Sequence, residues 1–373
     1  MSTLGVGIIG CGNISTAYLR LAPMFKGIEM RAVADLNAEA AEARAAEFDV
    51  RAESVDGLLA ADDIDIVVNL TIPAAHFEVS SKILAAGKHV YSEKPFVLTL
   101  EEGAEIRKLA EMRGLRVGSA PDTFLGGAHQ QARRLIDDGT VGTVTSGTAF
   151  VMGHGMEDWH PNPDFFYQPG AGPVLDIGPY YVTNLVQLLG PVRRVAALTS
   201  TPSKTRTILS EPRKREEIPV GTPTTIHSLL EFESGAVITM CTSWDVWGHG
   251  HKPMELYGTN ASLDVPDPNF FGGDLMLMPA RDEAQTVTPW DHPFGAPNDD
   301  GRANYRTAGL ADMAQAIAAG TPHRCSLDLA LHAVEVMTAI LEAGETGQFV
   351  QMTTTCARPD PLGPDAAAAM MKV

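Results

Sequence analysis

The first residues that suggest a chemistry are the glycines of an early turn. Gly10 and Gly12 lie directly after a short apolar segment and directly before one with helical spacing. At such a turn the first glycine permits a tight bend, and the second lets backbone N–H groups approach a pyrophosphate at the positive end of a helix. Ser15 takes the place of a third glycine and is also small. We expect the dinucleotide contacts to come from Gly10, Gly12, Asn13 and Ile14; an ordinary glycine turn is the alternative.

An acidic residue further along the chain supports a dinucleotide site. Asp35 ends the second predicted strand, where a carboxylate can accept hydrogen bonds from the adenosine ribose hydroxyls and would repel a ribose phosphate. No Arg or Lys stands at positions 36 to 38 to neutralise such a phosphate. The sequence therefore predicts NAD as the cofactor, with NADP as the alternative.

A lysine after a later strand supplies a charge that could act on a substrate. Lys94 follows a short predicted strand and precedes Pro95. Open α/β sheets bind their ligands at the carboxyl ends of their strands, and proline biases the residue before it toward an extended backbone. We therefore expect the Lys94 ammonium to point into a cleft, where it can stabilise a developing alkoxide. A solvated surface lysine is the alternative.

A parallel sheet would bring these residues together, and the first third of the chain has the corresponding pattern. Short apolar runs alternate with helical periodicity, which forces parallel pairing through right-handed crossovers. The expected strands are Leu4–Gly10, Glu29–Ala34, Ile64–Leu70, Lys88–Tyr91 and Arg116–Ser119. The expected helices are Asn13–Phe25, Asn37–Phe48, Ala74–Ala86 and Leu100–Arg113. We therefore predict an α/β domain with a doubly wound parallel sheet over residues 1–122.

Past Pro121 the pattern changes to alternating segments divided by Gly, Pro and Asn, which is typical of a largely antiparallel sheet. The expected strands are Thr143–Val151, Thr224–Phe232, Ala236–Trp244 and Met254–Tyr257. The expected helices are Ala128–Asp138, Asn304–Ala319 and Leu327–Gly344. Asn269–Gly301 is predicted as loop, and Pro359–Val373 as a surface tail with at most a short helix. Residues 123–373 are thus expected to form a second, α+β domain with an open sheet.

Two motifs give the chain a specific resemblance to a known family. Glu93-Lys94-Pro95 and the segment Gly170–Tyr180, with the sequence GAGPVLDIGPY, follow the glycine turn and Asp35 in the order found in the Gfo/Idh/MocA family of nicotinamide-dependent oxidoreductases. The likeness covers nearly the whole chain. It implies an N-terminal Rossmann domain, a C-terminal open sheet that often forms the oligomer interface, and substrates among sugars, polyols and their derivatives.

The resemblance also implies catalytic residues. The family commonly keeps an Asp and, four residues later, a His on one helix that faces the nicotinamide. Asp176 matches the Asp, whereas Tyr180 stands at the His position, as in some members. Residues four apart share a helix face, provided that Pro179 lies at an early helical position, where proline is tolerated. We expect Tyr180 or Lys94 to accept the proton of a substrate hydroxyl while Asp176 holds a second hydroxyl and tunes Lys94.

Further cofactor contacts are expected beside the nicotinamide. Pro73 and His76 resemble the family segment that passes the nicotinamide ribose, and Thr71 could contact the cofactor through its backbone. Glu93 and Lys94 are expected to border the same part of the cofactor.

An aromatic loop before Asp176 supplies the candidate substrate residues. His154, Trp159 and His160 lie in a stretch rich in Pro, Gly and aromatic residues, which suits hydrogen bonds to a sugar and stacking against its ring. An ordinary surface loop is the alternative. His249 and His251 flank a glycine without a nearby set of Cys or carboxylate ligands, so we expect no metal site.

Composition and charge argue against several other classes of protein. The 373 residues include 28 basic and 46 acidic side chains, and this net charge of −18 opposes binding to nucleic acid or anionic lipid. The 4 cysteines lie far apart, which is typical of reduced thiols. No apolar run approaches the length of about 20 residues that spans a membrane, and no basic region precedes a hydrophobic one at the N-terminus. We expect a cytoplasmic protein with neither nucleic-acid nor membrane partners.

The leading hypothesis is a dehydrogenase that transfers a hydride between a secondary hydroxyl of a sugar, inositol or glycoside and NAD. We expect a homo-oligomer, a dimer or tetramer, joined through the C-terminal sheet. One alternative is an NADP-linked reductase of a keto-sugar or carbonyl compound. Another is a nicotinamide-binding sensor without turnover, although a sensor would not need the pair of Lys94 and Asp176.

Overall fold

The computed structural model of the chain describes residues 3–298 and 301–372, and its first part is a parallel sheet with helices between the strands. The strands are β1 (Leu4–Ile9), β2 (Ile28–Ala34), β3 (Arg51–Glu53), β4 (Ile66–Asn69), β5 (His89–Ser92) and β6 (Val117–Ser119). The helices are α1 (Asn13–Leu21), α2 (Ala38–Phe48), α3 (Val55–Ala60), α4 (His76–Ala85) and α5 (Leu100–Arg113). The strand order of the described residues is β3-β2-β1-β4-β5-β6, the doubly wound order of dinucleotide-binding sheets.

The central strands of this sheet are buried on both faces. Ile8 of β1 and Val67 and Val68 of β4 have no exposed surface, as expected for parallel strands that helices cover on each side. The strand order reverses between β1 and β4, so the carboxyl ends of these strands border a crevice. The segments after β1, β4 and β5 therefore meet at one edge of the sheet, and the predicted doubly wound sheet is confirmed.

The prediction omitted β3 and α3, which connect β2 to β4. β3 has three residues and α3 has six, so neither is long enough to show a periodicity. The Ser54 hydroxyl caps α3 by accepting a hydrogen bond from the Gly57 N–H, at 3.0 Å.

The second sheet is larger and mostly antiparallel. Its strands are β7 (Val144–Met152), β8 (Val192–Ser200), β11 (Thr225–Phe232), β12 (Val237–Ser243), β13 (Met254–Gly258), β14 (Ala261–Val265), β15 (Met276–Pro279), β16 (Gln285–Thr286) and β17 (Val350–Gln351), with a separate hairpin of β9 (Thr205–Thr207) and β10 (Glu217–Pro219). The helices are α6 (Gly127–Asp137), α7 (Pro173–Leu189), α8 (Ala308–Ala319), α9 (Leu327–Thr346) and α10 (Pro364–Met370). Across the described residues the order is β16-β15-β14-β13-β7-β12-β11-β8-β17, and β7 pairs in parallel with β12. The α+β prediction with an open, mostly antiparallel sheet is confirmed.

The two faces of the second sheet differ in exposure. Val195, Leu230 and Ile238 have no exposed surface, and α9 packs on β8 and α7. On the other face, Leu198 is 75% exposed and Leu229 is 45% exposed. This sheet therefore has one buried and one solvent-facing side, as antiparallel sheets commonly have.

For the described residues through Lys372, the C-terminal prediction is confirmed for a short helix, which is α10, and is wrong for a solvated surface tail. α10 buries Met370, whose carbonyl accepts a hydrogen bond from the Lys26 N–H at 2.8 Å. The Lys372 N–H donates to the Met24 carbonyl at 2.8 Å. The tail therefore packs against the connection between α1 and β2. A helix this short buries few side chains, so its local sequence resembles that of a solvated tail. Val373 lies outside the described residues.

The prediction of an irregular loop over Asn269–Gly301 is also wrong for the described residues. This stretch contains β15 and β16, and it buries Phe271 and Phe294 completely. The two strands have four and two residues and are too short to display alternation. Asp299 and Asp300 lie outside the described residues.

The division of the chain at residue 122 stays a prediction. Segments from beyond it return to the first sheet, where the Cys325 carbonyl accepts a hydrogen bond from the Ser119 N–H at 3.1 Å. None of the helices in residues 3–298 and 301–372 combines the length and hydropathy needed to cross a bilayer.

Candidate active site

The turn after β1 needs glycine for two different reasons. Gly10 has a φ of +107°, and a Cβ there would lie 2.6 Å from the carbonyl oxygen of Leu70. Gly12 precedes α1, and a Cβ at Gly12 would have no neighbour within 4 Å. The space beside Gly12 therefore lies open at the positive end of α1, where a pyrophosphate can approach. Ser15 is completely buried beneath this turn, and its Oγ donates to the Gly12 carbonyl at 2.6 Å.

Asp35 is held beside this turn by backbone hydrogen bonds. Its Oδ2 accepts from the Cys11 N–H and its Oδ1 from the Asn37 N–H, each at 2.8 Å. Each carboxylate oxygen keeps a lone pair for a ribose hydroxyl. Burial, followed by the charge of Asp35, raises the pKa of the Cys11 thiol to about 11. Cys11 therefore stays protonated at neutral pH. The open glycine turn fits a pyrophosphate, and the Asp35 carboxylate fits the hydroxyls of the adenosine ribose.

The segment after β4 is tied to the segment after β5 through His76. The Nε2 of His76 lies 2.9 Å from the carbonyl oxygen of Thr71, and its Nδ1 lies 2.7 Å from that of Pro95. Asn69 accepts hydrogen bonds from both the N–H and the hydroxyl of Thr71. His76 is buried, so it braces the crevice from behind. Direct contacts of His76 and Thr71 with a cofactor stay predictions, as does that of Pro73, which is exposed at the edge of the crevice.

Lys94 joins the two parts of the chain. Its Nζ donates to the backbone carbonyl of Asp176 at 2.7 Å and to Asp176 Oδ1 at 3.1 Å. The same Nζ lies 5.2 Å from the centre of the Tyr180 ring. The side chains of Lys94 and Asp176 are 17% and 23% exposed, so solvent reaches both only in part. The structure thus brings together the three predicted catalytic residues.

The surroundings keep Lys94 charged. Burial lowers the pKa of Lys94, but the charges of Tyr180, Asp176 and Glu93 outweigh burial and hold it well above its usual range. Lys94 is therefore an ammonium at neutral pH. An ammonium has three N–H donors, of which Asp176 takes two, so one donor can meet a substrate oxygen. The Glu93 carboxylate in turn accepts hydrogen bonds from the backbone N–H of Lys94 at 2.9 Å and from the Tyr18 hydroxyl at 3.2 Å.

Helix α7 presents Asp176 and Tyr180 from one side. The expectation that Pro179 lies early in this helix is wrong, because α7 begins at Pro173 and Pro179 lies in its second turn. Proline inside a helix removes one hydrogen bond of the main chain. The helix nevertheless continues to Leu189, and both polar side chains of its first turns contact Lys94.

A cavity of about 450 Å³ opens beside Lys94 and Asp176. Its walls are mostly apolar, with Ile72 and Pro73 on the cofactor side and the aromatic rings of Phe165 and Phe166 among the residues before α7. Its volume is that of a site for a small organic ligand. An apolar wall beside an ammonium and a carboxylate suits a molecule that has both C–H faces and hydroxyl groups.

The predicted substrate residues lie at different distances from this cavity. The His160 ring packs edge-on against Phe165 and Phe166, with ring centres 5.4 Å apart in both cases. Trp159 is 61% exposed and contacts His160. His154 instead stacks on Trp247 and lines a separate cavity of about 430 Å³. The structure therefore places His160 behind the aromatic wall and does not bring His154 to Lys94.

One polar residue of the site was missed by the sequence analysis. Arg306 lies in the segment before α8, where burial lowers its pKa and the charge of Tyr180 is the largest of the causes that raise it. Its own sequence context is a connecting segment without a recognisable motif. An arginine directly before a helix is common on surfaces, so no local pattern marks it.

The doubly wound sheet, with an open glycine turn at the start of α1, defines the class of dinucleotide-binding oxidoreductases. Two family profiles match the chain: "Oxidoreductase family, NAD-binding Rossmann fold" over residues 4–120 and "GFO/IDH/MocA C-terminal domain" over residues 129–264. The chain belongs to the Gfo/Idh/MocA family and is an NAD(P)-dependent dehydrogenase.

Curated relatives share about a quarter of their residues with the chain. An uncharacterized oxidoreductase of Schizosaccharomyces pombe is 26% identical over 322 residues, which are 80% of this chain and 84% of that protein. The D-xylose 1-dehydrogenase (NADP(+)) 2 of Haloferax volcanii is 25% identical and covers 93% of this chain and 99% of its own. The levoglucosan dehydrogenase of Pseudarthrobacter phenanthrenivorans is 27% identical over 70% of this chain and 73% of its own.

Solved structures agree on the fold. An NAD binding oxidoreductase from Klebsiella pneumoniae superimposes with a TM-score of 0.82 and 22% identity, covering 95% of this chain and 100% of that chain. A levoglucosan dehydrogenase in complex with NADH and L-sorbose superimposes with a TM-score of 0.80, 22% identity and the same coverage.

Proposed function

We propose that the protein oxidises a secondary hydroxyl of a sugar, inositol or glycoside with NAD. The observation that carries this proposal is the contact of Lys94 Nζ with Asp176 Oδ1, 3.1 Å long, made at the edge of the sheet that carries the glycine turn. The bound nicotinamide supplies the hydride acceptor.

The residues of the cleft divide the remaining work. The free N–H donor of Lys94 meets the substrate oxygen and stabilises its negative charge as the proton leaves. Because the raised pKa keeps Lys94 protonated, we assign the Tyr180 phenolate as the proton acceptor and the Lys94 ammonium as its charged partner. Asp176 binds Lys94 through Oδ1, so its other oxygen can accept a hydrogen bond from a neighbouring substrate hydroxyl.

The choice of NAD follows from the position of Asp35. Backbone N–H groups fix both of its oxygens, so the carboxylate cannot swing away to admit a ribose phosphate without losing two hydrogen bonds. A phosphate there would face an uncompensated negative charge. NADP stays the alternative, since the Haloferax volcanii relative is named as an NADP(+) enzyme.

The sugar class follows from the relatives and from the cavity. The relatives compared above include enzymes named for D-xylose and levoglucosan. In this chain Phe165 and Phe166 form an apolar wall next to the polar pair, an arrangement that suits the C–H face of a sugar ring.

A substrate panel tests the proposal. Sugars, inositols and glycosides are offered with NAD and with NADP, and keto-sugars and other carbonyl compounds with NADH and with NADPH, while the absorbance of reduced cofactor is followed. We expect turnover with at least one secondary alcohol and a preference for NAD. Binding of NADH without reduction of cofactor by any panel member would instead favour the sensor, and turnover confined to NADPH and a carbonyl compound would favour the reductase.

We also propose that the open face of the second sheet joins copies of the chain. Leu198, Leu229 and Val237 are 75%, 45% and 41% exposed on this face. Replacing Leu229 by Glu is expected to shift sedimentation toward smaller species, whereas Met112→Glu on α5 is the matched control at another exposed apolar residue, 67% exposed. Unchanged sedimentation of the Leu229 variant would contradict this interface. The cytoplasmic setting stays a prediction.

A further inference from the structure

The cavity beside the catalytic pair is polar at one place only. Within the part of the chain that the structure describes, only Lys94 and Asp176 contribute polar side chains to its lining, and these two bind each other. The rest of the lining consists of glycine, alanine, proline and larger apolar residues, among them Ile72, Leu98 and Phe165. A hydroxyl group that leaves water and finds no hydrogen-bond partner costs free energy. The cavity can therefore satisfy substrate hydroxyls beside the catalytic pair and not along its other walls.

The aromatic part of the wall is fixed in place. Phe165 and Phe166 lie in the short 3₁₀ helix Pro163–Tyr167, and their ring centres are 4.0 Å apart. Asp164 of the same helix accepts hydrogen bonds from the Arg213 guanidinium with both carboxylate oxygens. The Phe165 side chain nevertheless lines the cavity and is 56% exposed. A fixed and exposed aromatic ring in a cavity wall offers a surface that an apolar group of a ligand can cover.

This aromatic wall is separate from the cofactor side of the cavity. Phe165 and Phe166 belong to the segment before α7, whereas Ile72 and Pro73 come from the sheet that carries the glycine turn. A free sugar or an inositol has hydroxyls around its whole ring, so several of them would face apolar walls. A glycoside with an aromatic aglycone has its hydroxyls at one end and a flat apolar ring at the other. That distribution matches the lining of the cavity.

We propose that the substrate is a glycoside with an aromatic aglycone, whose sugar binds at Lys94 and Asp176 and whose aglycone covers Phe165. This inference rests on the proposed dehydrogenase function and names the class of its substrate. Aromatic rings attract each other in offset-stacked and edge-to-face arrangements, so the aglycone gains a specific contact with Phe165. The aglycone lies away from the reacting carbon and binds equally well before and during the reaction. Such a contact lowers KM and leaves kcat unchanged.

The kinetic test uses matched substrates. Phenyl glycosides, methyl glycosides and free sugars of glucose, galactose and xylose are compared with NAD and the full chain. For the sugar that is oxidised, kcat/KM should be about 10- to 100-fold higher for the phenyl than for the methyl glycoside, through KM alone. Phe165→Ala should lower this preference to about threefold or less. Trp247→Ala is the matched control, because Trp247 is an exposed aromatic residue that lines the separate cavity of about 430 Å³. It should leave the preference unchanged.

A binding measurement separates this inference from the reaction. Calorimetric titration of the NADH-loaded protein should show about 10-fold or tighter binding of the phenyl glycoside than of the methyl glycoside, and Phe165→Ala should abolish the difference. Equal binding of the two glycosides would overturn the aglycone site. So would a phenyl preference that persists in a Phe165→Ala variant with the wild-type melting temperature. Tight binding of phenyl glycosides without any turnover would contradict the dehydrogenase function and support the aglycone site, whereas turnover of free sugars as efficient as that of phenyl glycosides would do the opposite.

Discussion

The cofactor side and the catalytic side of the cleft are built in different ways. On the cofactor side, backbone N–H groups and the turn at Gly10 and Gly12 shape the site, and Asp35 itself is held by backbone donors. On the catalytic side, charged side chains from separate segments meet each other, as Lys94 and Asp176 do at 3.1 Å. The first kind of site depends on local geometry, and the second on the packing of the whole chain. Changes to the two sides should therefore affect different measurements.

Replacing Lys94 by Met should have the largest effect, and it should act on turnover alone. The ammonium that stabilises the alkoxide is lost, so kcat should fall by about 10²- to 10⁴-fold. Binding of NADH, measured by fluorescence titration, should stay within about threefold of wild type. Lys82→Met, at an exposed lysine on α4 that pairs with Glu78, is the control and should leave both quantities unchanged. Normal turnover of the Lys94→Met variant would contradict the catalytic role of Lys94.

Replacing Asp35 by Ser should weaken cofactor binding and leave the rate of hydride transfer nearly unchanged. Loss of the hydrogen bonds to ribose should weaken NAD binding about 10- to 100-fold, since bonds to a charged acceptor each contribute about 1.5–3 kcal/mol. Discrimination against NADP should decrease as well, because the repulsion is gone. Hydride transfer at saturating NAD, measured by stopped flow, should change little. Asp49→Asn is the control, because Asp49 follows the last residue of α2 and has a left-handed backbone conformation that Asn tolerates. Unchanged NAD affinity would contradict the ribose contact.

The two glycines of the turn should separate stability from binding. Gly10→Ala should lower the free energy of unfolding by about 2 kcal/mol, because φ is +107° and a Cβ would lie 2.6 Å from the Leu70 oxygen. Gly12→Ala should leave the melting temperature nearly unchanged, because no atom lies within 4 Å, yet it should weaken NAD binding. Thermal melts with and without NAD measure both. Equal melting temperatures of the two variants would be inconsistent with this geometry.

The pH dependence should distinguish the two candidate proton acceptors. The pKa of Lys94 is raised, so its protonated form persists to higher pH than the usual value of about 10.4. If Lys94 acts as an ammonium, kcat should show no increase from lysine deprotonation up to about pH 10. A rise of kcat with pH that persists in a Tyr180→Phe variant would instead make Lys94 the base, because that variant has no phenol to ionise. The profile is measured with one substrate at saturating NAD.

The sequence predicted the cofactor side more completely than the catalytic side. Gly10 and Gly12 follow one short apolar run and Asp35 follows the next predicted strand, so their place at the edge of the sheet follows from local pattern. Lys94 was also predictable, because Pro95 and the preceding strand define its position. The pairing of Asp176 and Tyr180 with Lys94 depended on the resemblance to a family. Its geometry comes from the packing of α7 against the crevice, which no local pattern contains.

The elements that sequence reasoning missed share a dependence on distant partners. Arg306 is held in place because its guanidinium binds Asn269 and because Asp122 binds the backbone of the next residue, Thr307. Met370 is buried because α10 returns to the connection between α1 and β2. Neither residue lies in an element long enough to show a periodicity of its own, so their placement follows only from the folded chain.

A double-mutant cycle on hydride transfer measures whether Lys94 and Asp176 act on the substrate as one unit. Lys94→Met, Asp176→Asn and the double variant are compared with wild type in single-turnover experiments at saturating NAD. If the two groups act together on one substrate, the double variant should be about as slow as the slower single variant, because residues that act as a unit are not additive. If the two losses multiply, Lys94 and Asp176 act independently, and the account of one shared site at the nicotinamide is contradicted.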